Sequence, residues 1–219
     1  MGRLYLVAGG SASGKSEYAE NLASAIISDH HGADPLRLYY IAAMHPYDDE
    51  SKERVKRHRM LRYGKGFETI ECHTGISRLE NELPKNSVVM LECMSNLLAN
   101  ELYLEQGALY DLVSGGGMKR DNEEELKNRL YECIVSPAVR LAARADSFVV
   151  VTNDIFSDGS SYEPETEEYI RLLGYVNQRL AGAADHVTRV VCSIPISIKG
   201  EEPLYPQDML TRQKSNEDI

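Results

Sequence analysis

The chain has 219 residues, 42% of them apolar and 26% charged, which is enough for one domain with a substantial core and excludes a disordered polypeptide. Its net charge of −10 excludes binding along a nucleic-acid backbone, which needs a basic face, but not a nucleotide whose charge is met locally. No apolar run reaches the roughly 18 residues needed to span a bilayer, so no membrane span is expected.

In chain order, the N-terminus runs directly into an apolar strand at residues 4–8, with no charged-then-apolar leader. Gly2 offers no myristoylation signal, because position 6 is Leu rather than Ser or Thr. A cytoplasmic enzyme is the resulting expectation. A helical pattern follows at 15–28, then a strand at 38–42, a helix at 49–63 and a strand at 88–92. Further on come a helix at 123–145, a strand at 148–152, a helix at 165–183 and a strand at 187–192. The strands are short and apolar almost throughout, as parallel strands covered on both faces are. Strands alternating with helices predict an α/β fold, a doubly wound and mostly parallel sheet with helices on both faces. Residues 1–205 read as a single nucleotide-binding domain, and the polar stretch 206–219 reads as a frayed tail. Residues 114–117, within the segment 107–122, read as a loop between helices, either a lid or a plain insertion. The four cysteines, Cys72, Cys93, Cys133 and Cys192, form no C-x-x-C pair and are read as reduced thiols.

The first strand ends in Gly9-Gly10-Ser11-Ala12-Ser13-Gly14-Lys15-Ser16, which satisfies G-x-x-x-x-G-K-[ST] and is followed by a helix. Glycines let the backbone turn several N–H groups toward bound phosphates, and the helix N-terminus adds its positive end. Lys15 is expected on the β and γ oxygens and the Ser16 hydroxyl on Mg²⁺. A triphosphate-bound ion also needs a carboxylate at a neighbouring strand end. Val88-Val89-Met90-Leu91-Glu92 supplies one, so Ser16 and Glu92 are the candidate metal ligands; the competing reading makes Glu92 a helix cap. These residues predict a Mg²⁺-dependent enzyme that transfers a phosphorus-containing group from ATP or GTP.

Further blocks extend beyond the phosphate loop. The loop continues as Ala19-Glu20, followed by Tyr40-Ile41-Ala42 and by Asp48-x-Glu50-x-x-x-Arg54-Val55-x-x-His58. Then come Leu91-Glu92-Cys93 with Asn96 and Asn100, Val151-Thr152-Asn153-Asp154, Val176-Asn177-Gln178-Arg179-Leu180-Ala181-x-x-Ala184-Asp185 and Ile194-Pro195-Ile196-x-Ile198-Lys199. In kind and order, over about residues 3 to 199, these blocks resemble the bifunctional adenosylcobinamide kinase / adenosylcobinamide-phosphate guanylyltransferases of cobalamin assembly. The resemblance implies a RecA-like P-loop fold and a trimer. It also implies two reactions: phosphorylation of adenosylcobinamide, then transfer of GMP from GTP to that phosphate through a guanylyl-histidine, with pyrophosphate leaving.

Of the six histidines, His30 and His31 lie in a polar loop and His186 opens a strand, which leaves His45, His58 and His73. His58 is the candidate nucleophile, since it matches the family block and neutral imidazole attacks well near pH 7. Arg54 lies four residues before it and Arg62 four after, with Arg57 and Arg59 adjacent. Arg54 and Arg57 are expected to bind the nucleotide; the competing reading is a solvated basic face.

The chain departs from the family pattern at three points. Ala12 stands where the family has Arg. Some members carry two consecutive histidines, the first of which falls on Arg57 here. The segment 154–165 keeps only the acid Asp154 and one glycine of the usual motif, leaving Asn153 and Asp154 as substrate or metal contacts or as a helix-entry turn. Two alternatives therefore stand beside the bifunctional enzyme: a small-molecule kinase without the guanylyl step, and a nucleotide-binding regulator without turnover.

Overall fold

A computed structural model describes residues 2–32, 34–114, 123–156 and 162–200; within it, the side chains of Glu50, Arg54 and Leu61 are not described. Residues 115–117 of the predicted loop 114–117 and the predicted tail at 206–219 lie outside the described residues.

Seven strands form one sheet in the order β3-β2-β4-β5-β1-β6-β7. The strands are β1 (Arg3–Gly9), β2 (Arg37–Ala42), β3 (Glu68–Glu71), β4 (Ser87–Glu92), β5 (Ser147–Asn153), β6 (His186–Val191) and β7 (Ile194–Lys199). All neighbours run parallel except β6 and β7, which are antiparallel. The helices are α1 (Lys15–Ser28), α2 (Asp49–Arg62), α3 (Leu79–Glu82), α4 (Met94–Tyr103), α5 (Tyr110–Val113), α6 (Glu123–Leu130), α7 (Ser136–Arg144) and α8 (Pro164–Ala183). The sheet is thus the doubly wound, mostly parallel one that the sequence predicts.

Strand alternation sorts the core into two layers. Tyr5 and Val7 of β1, Met90 of β4, and Val149 and Val151 of β5 pack on Tyr18, Ala19, Leu22 and Ala23 of α1. The intervening Leu6, Leu91, Phe148 and Val150 face the other way, onto Met94 and Leu98 of α4, Leu141 of α7 and Leu173 and Val176 of α8. Phe148 is fully buried, so truncating it to Ala would cost about 3–5 kcal/mol.

The chain leaves β1 toward β2 through α1, and leaves the adjacent β5 toward β6 through α8. Their carboxyl ends therefore open a crevice at the point where the strand order reverses, where open α/β sheets bind ligands.

The structure differs from the sequence expectation at the edges and in the helices. β3 and β7 are mostly exposed edge strands, so neither shows the apolar run that marks β4 and β5. α4 follows β4 after a single residue, and its apolar stripe merges with the strand's in the sequence. The predicted helix 123–145 is interrupted by a π-helical segment, Tyr131–Val135. Pro137 follows it and has no N–H to offer the carbonyl of Cys133, so the regular ladder cannot run through. Strand β6 stops at Val191, because Cys192 and Ser193 both have positive φ, 49° and 63°, and make the tight β6–β7 turn.

Candidate active site

The phosphate loop joins β1 to α1. Gly14 caps the helix at φ 88°, and a Cβ there would lie 2.7 Å from Ser193 Oγ. At Gly9 a Cβ would come within 2.4 Å of Ser13 Oγ and 2.8 Å of the Val190 carbonyl oxygen. The loop therefore needs both glycines for the close fit of its own backbone against the β6–β7 hairpin. That hairpin braces it, with the Ser193 N–H donating to the Ser13 carbonyl at 2.8 Å. Ser11 sits exposed in the turn, and Ala12 holds φ 56° without being glycine. Lys15 is buried, and its Nζ donates to the Gly10 carbonyl at 3.1 Å.

Glu92 ends β4 beside the first turn of α1. Its Oε1 accepts a 2.7 Å hydrogen bond from Ser16 Oγ, while Oε2 is buried with no hydrogen-bond partner among the described residues. Burial pushes this carboxyl up to about 7, against the opposing pull of the Ser16 hydrogen bond and the Lys15 charge. The predicted pair Ser16 and Glu92 is thus brought together. An orphaned, buried carboxylate oxygen next to a hydroxyl fits a hard cation that takes its remaining ligands from phosphates and water. No cluster of three or more His, Cys, Asp or Glu side chains suited to a metal occurs among the described residues, so the protein would supply few of the ligands.

A cavity of about 360 Å³ adjoins Glu92, walled by Tyr40 and Ala42 of β2 and by Lys52, Val55, His58, Arg59 and Arg62 of α2. Helix α2 starts at a capping box in which Asp48 accepts from the Ser51 N–H at 2.7 Å and Ser51 Oγ accepts from the Asp48 N–H at 3.0 Å. The Ser51 side chain, and after it the Ser51 N–H, hold the Asp48 carboxyl below its ordinary range. Arg59 pairs with Glu71 of β3, and the Arg62 guanidinium lies 3.4 Å over the Tyr40 ring.

His58 is half-buried and faces this cavity, as a nucleophile must. Arg57 is exposed and is not among the cavity-lining residues. The backbone of Arg54 lies in α2, while its side chain is outside the description. His45 and His73 are not among the cavity-lining residues, though Met44, Pro46 and Glu71 beside them are; their rings meet edge to face with centroids 5.0 Å apart. Asn153 donates to Ser95 Oγ at 2.8 Å, and Asp154 pairs with Arg189 at 2.7 Å while its N–H donates to the Gly9 carbonyl at 3.0 Å. Of these contacts only the Asp154 N–H reaches the start of the phosphate loop, and helix α8 begins further on, at Pro164. Asn100 likewise ties the chain together, donating to the carbonyls of Ala43 and His73.

Sequence reasoning did not single out Arg62. Its spacing from His58 is the one available signal, and only the structure separates it from its basic neighbours by burial.

A family model described as cobinamide kinase / cobinamide phosphate guanyltransferase matches residues 5–198. The chain is 30% identical to the bifunctional adenosylcobalamin biosynthesis protein CobU of Salmonella typhimurium, over 90% of this chain and 99% of that protein. It is equally 30% identical to the protein of the same name from Escherichia coli, again over 90% and 99%. A third relative, the bifunctional adenosylcobalamin biosynthesis protein CobP of Pseudomonas aeruginosa, is 25% identical over 90% of this chain and 97% of its own. Matched by this family model over most of its length and by two relatives at 30% identity, the chain belongs to the cobinamide kinase / cobinamide phosphate guanyltransferase family.

Proposed function

We propose that this chain phosphorylates adenosylcobinamide with ATP or GTP and then transfers GMP from GTP to the new phosphate, releasing pyrophosphate. The observation that carries this reading is the shared wall: Glu92, which pairs with the phosphate-loop Ser16, lines the same cavity as His58. The same family appears in the matched model and in the names of the relatives.

Backbone N–H groups of residues 9–16 and Lys15 hold the β and γ phosphates, and Ser16 and Glu92 would hold Mg²⁺. The ion, when bound, offsets phosphate charge. In the kinase step the substrate hydroxyl attacks the γ phosphorus, which calls for positioning and charge rather than a covalent group. In the guanylyl step His58 attacks the α phosphorus. We further read the chain as a cytoplasmic homo-oligomer, by family resemblance a trimer.

The test incubates the protein with GTP labelled at the α-phosphate, then denatures it. Wild type should retain acid-labile, alkali-stable label, as a phosphoramidate does, whereas His58→Ala should retain none while still phosphorylating the corrinoid. Label kept by His58→Ala and lost by His45→Ala would sink the assignment. A wild type that never labels would favour the kinase-only reading, for which the exposed Arg57 in place of a family histidine is the specific sign.

A further inference from the structure

Burial of a guanidinium is expensive unless its N–H groups are used, and Arg62 is only 6% exposed. Its Nε and Nη1 have no hydrogen-bond partner among the described residues. One face of the group is covered by the Tyr40 ring, itself buried, which holds the plane without using a single N–H. The other cations on the cavity wall are committed elsewhere: Arg59 to Glu71, Lys52 to Asp49 at 2.9 Å and Lys56 to Glu53 at 3.9 Å. Glu92 lines the same cavity with its own oxygen unpaired, yet no ion pair joins it to Arg62. Two opposite charges that face one cavity without closing on each other leave room for a group that needs both, a phosphate oxygen for one and a cation for the other.

The helix fixes which phosphate. Arg62 lies four residues after His58, so the two occupy one face of α2 with Cβ atoms about 5–6 Å apart. A guanidinium at that spacing reaches the oxygens of a phosphorus atom bonded to the histidine, and its fork matches two of them. We infer that Arg62 is a catalytic residue of the guanylyl step, binding the non-bridging oxygens of the α-phosphoryl group as His58 attacks it.

This rests on the function proposed above. In the step, the unprotonated nitrogen of neutral His58 forms the P–N bond. The bond from the α phosphorus to the bridging oxygen breaks, and its electron pair leaves with pyrophosphate. The other ring nitrogen keeps its proton, so the ring turns cationic. An oxygen of the corrinoid phosphate then attacks phosphorus, the P–N pair returns to the ring, and neutrality is restored. In both half-steps negative charge builds on the oxygens that Arg62 holds. The kinase step acts on the γ phosphorus, out of its reach.

The test compares Arg62→Lys, which keeps a charge without the fork, and Arg62→Met, which keeps a long side chain without the charge. At saturating GTP, α-label should appear on either variant about 10²-fold more slowly or worse, the size of effect of a lost charge-stabilising donor. The KM for GTP and the rate of corrinoid phosphorylation should stay near wild type, and added guanidinium should restore labelling to Arg62→Ala. Labelling at the wild-type rate in the folded variants overturns the inference, and so does equal loss of both steps in Arg62→Lys, which marks a general structural or nucleotide-binding role. Should Arg62→Met fail to fold, Arg62→Lys decides alone. Normal labelling of the Arg62 variants with none in His58→Ala sinks only this inference, whereas normal labelling of His58→Ala sinks the histidine reading beneath it.

Discussion

Glu92 shows how one side chain sets a pH window. Burial holds its proton up to about 7, well above the usual carboxylate range, so between the two values the folded chain keeps a proton that the unfolded chain has released. Raising the pH through that window therefore removes stability, and the melting temperature of the nucleotide-free protein should fall more steeply between about pH 5 and pH 8 in wild type than in Glu92→Gln. Mg²⁺ held as proposed above would need the ionised carboxylate, so the ion would displace that proton. Titration should show the Mg²⁺ requirement of the kinase step rising by up to about tenfold per pH unit below about 7 in wild type. In Glu92→Gln the requirement should be about 10–100-fold higher and nearly independent of pH. A pH-independent requirement in wild type would make Glu92 a structural cap. The carboxylate was legible in the sequence because it ends an unbroken apolar run. Arg62 was not, because in sequence it is one of four arginines crowding a single helix, and its burial over Tyr40 depends on β2, more than twenty positions away.

At the scale of elements, legibility followed burial. β4 and β5 lie between two layers of helices, and their apolar runs mark them with boundaries correct to a residue or so. β3 and β7 owe their pairing to a neighbour rather than to their own composition, so the pattern of Glu68–Glu71 says little. Helix α2 has almost no apolar face and is held instead by the Asp48 capping box, the Arg59–Glu71 pair and the Arg62–Tyr40 stack. The last strand carries a consequence for assembly. Ile194, Ile196 and Ile198 alternate along β7 and are 58%, 45% and 62% exposed, with Val191 of β6 beside Ile194. An apolar stripe on an edge strand is an association surface by its chemistry. Sedimentation should give wild type a mass that is a multiple of 24.5 kDa, and Ile196→Lys should move it toward the monomer with the fold intact. A monomeric wild type, or an unchanged mass in the variant, would show that the stripe serves another purpose.

Across the whole molecule, the charge balance of −10 hides a local reversal. The cavity wall gathers Lys52, Lys56, His58, Arg59 and Arg62 against two carboxylates, Glu71 and Glu92. A basic cleft in an acidic protein draws in small polyanions, as a nucleotide site needs. The geometry also bears on how two reactions share one protein. The described residues hold a single phosphate loop, and the cavity with His58 adjoins it through Glu92; under the function proposed above, one bound triphosphate would present its γ phosphorus to a hydroxyl and its α phosphorus to His58. Lys15 is the side-chain cation of that loop, buried and within 3.1 Å of the Gly10 carbonyl, a bond a phosphate oxygen would replace. Lys15→Ala should therefore lower corrinoid phosphorylation and histidine labelling together, each by about 10²-fold or more, with the fold retained. Two separate nucleotide sites would predict loss of one activity alone. Measuring both rates on the same preparation separates the two arrangements, and survival of either at near the wild-type rate would rule out the shared site.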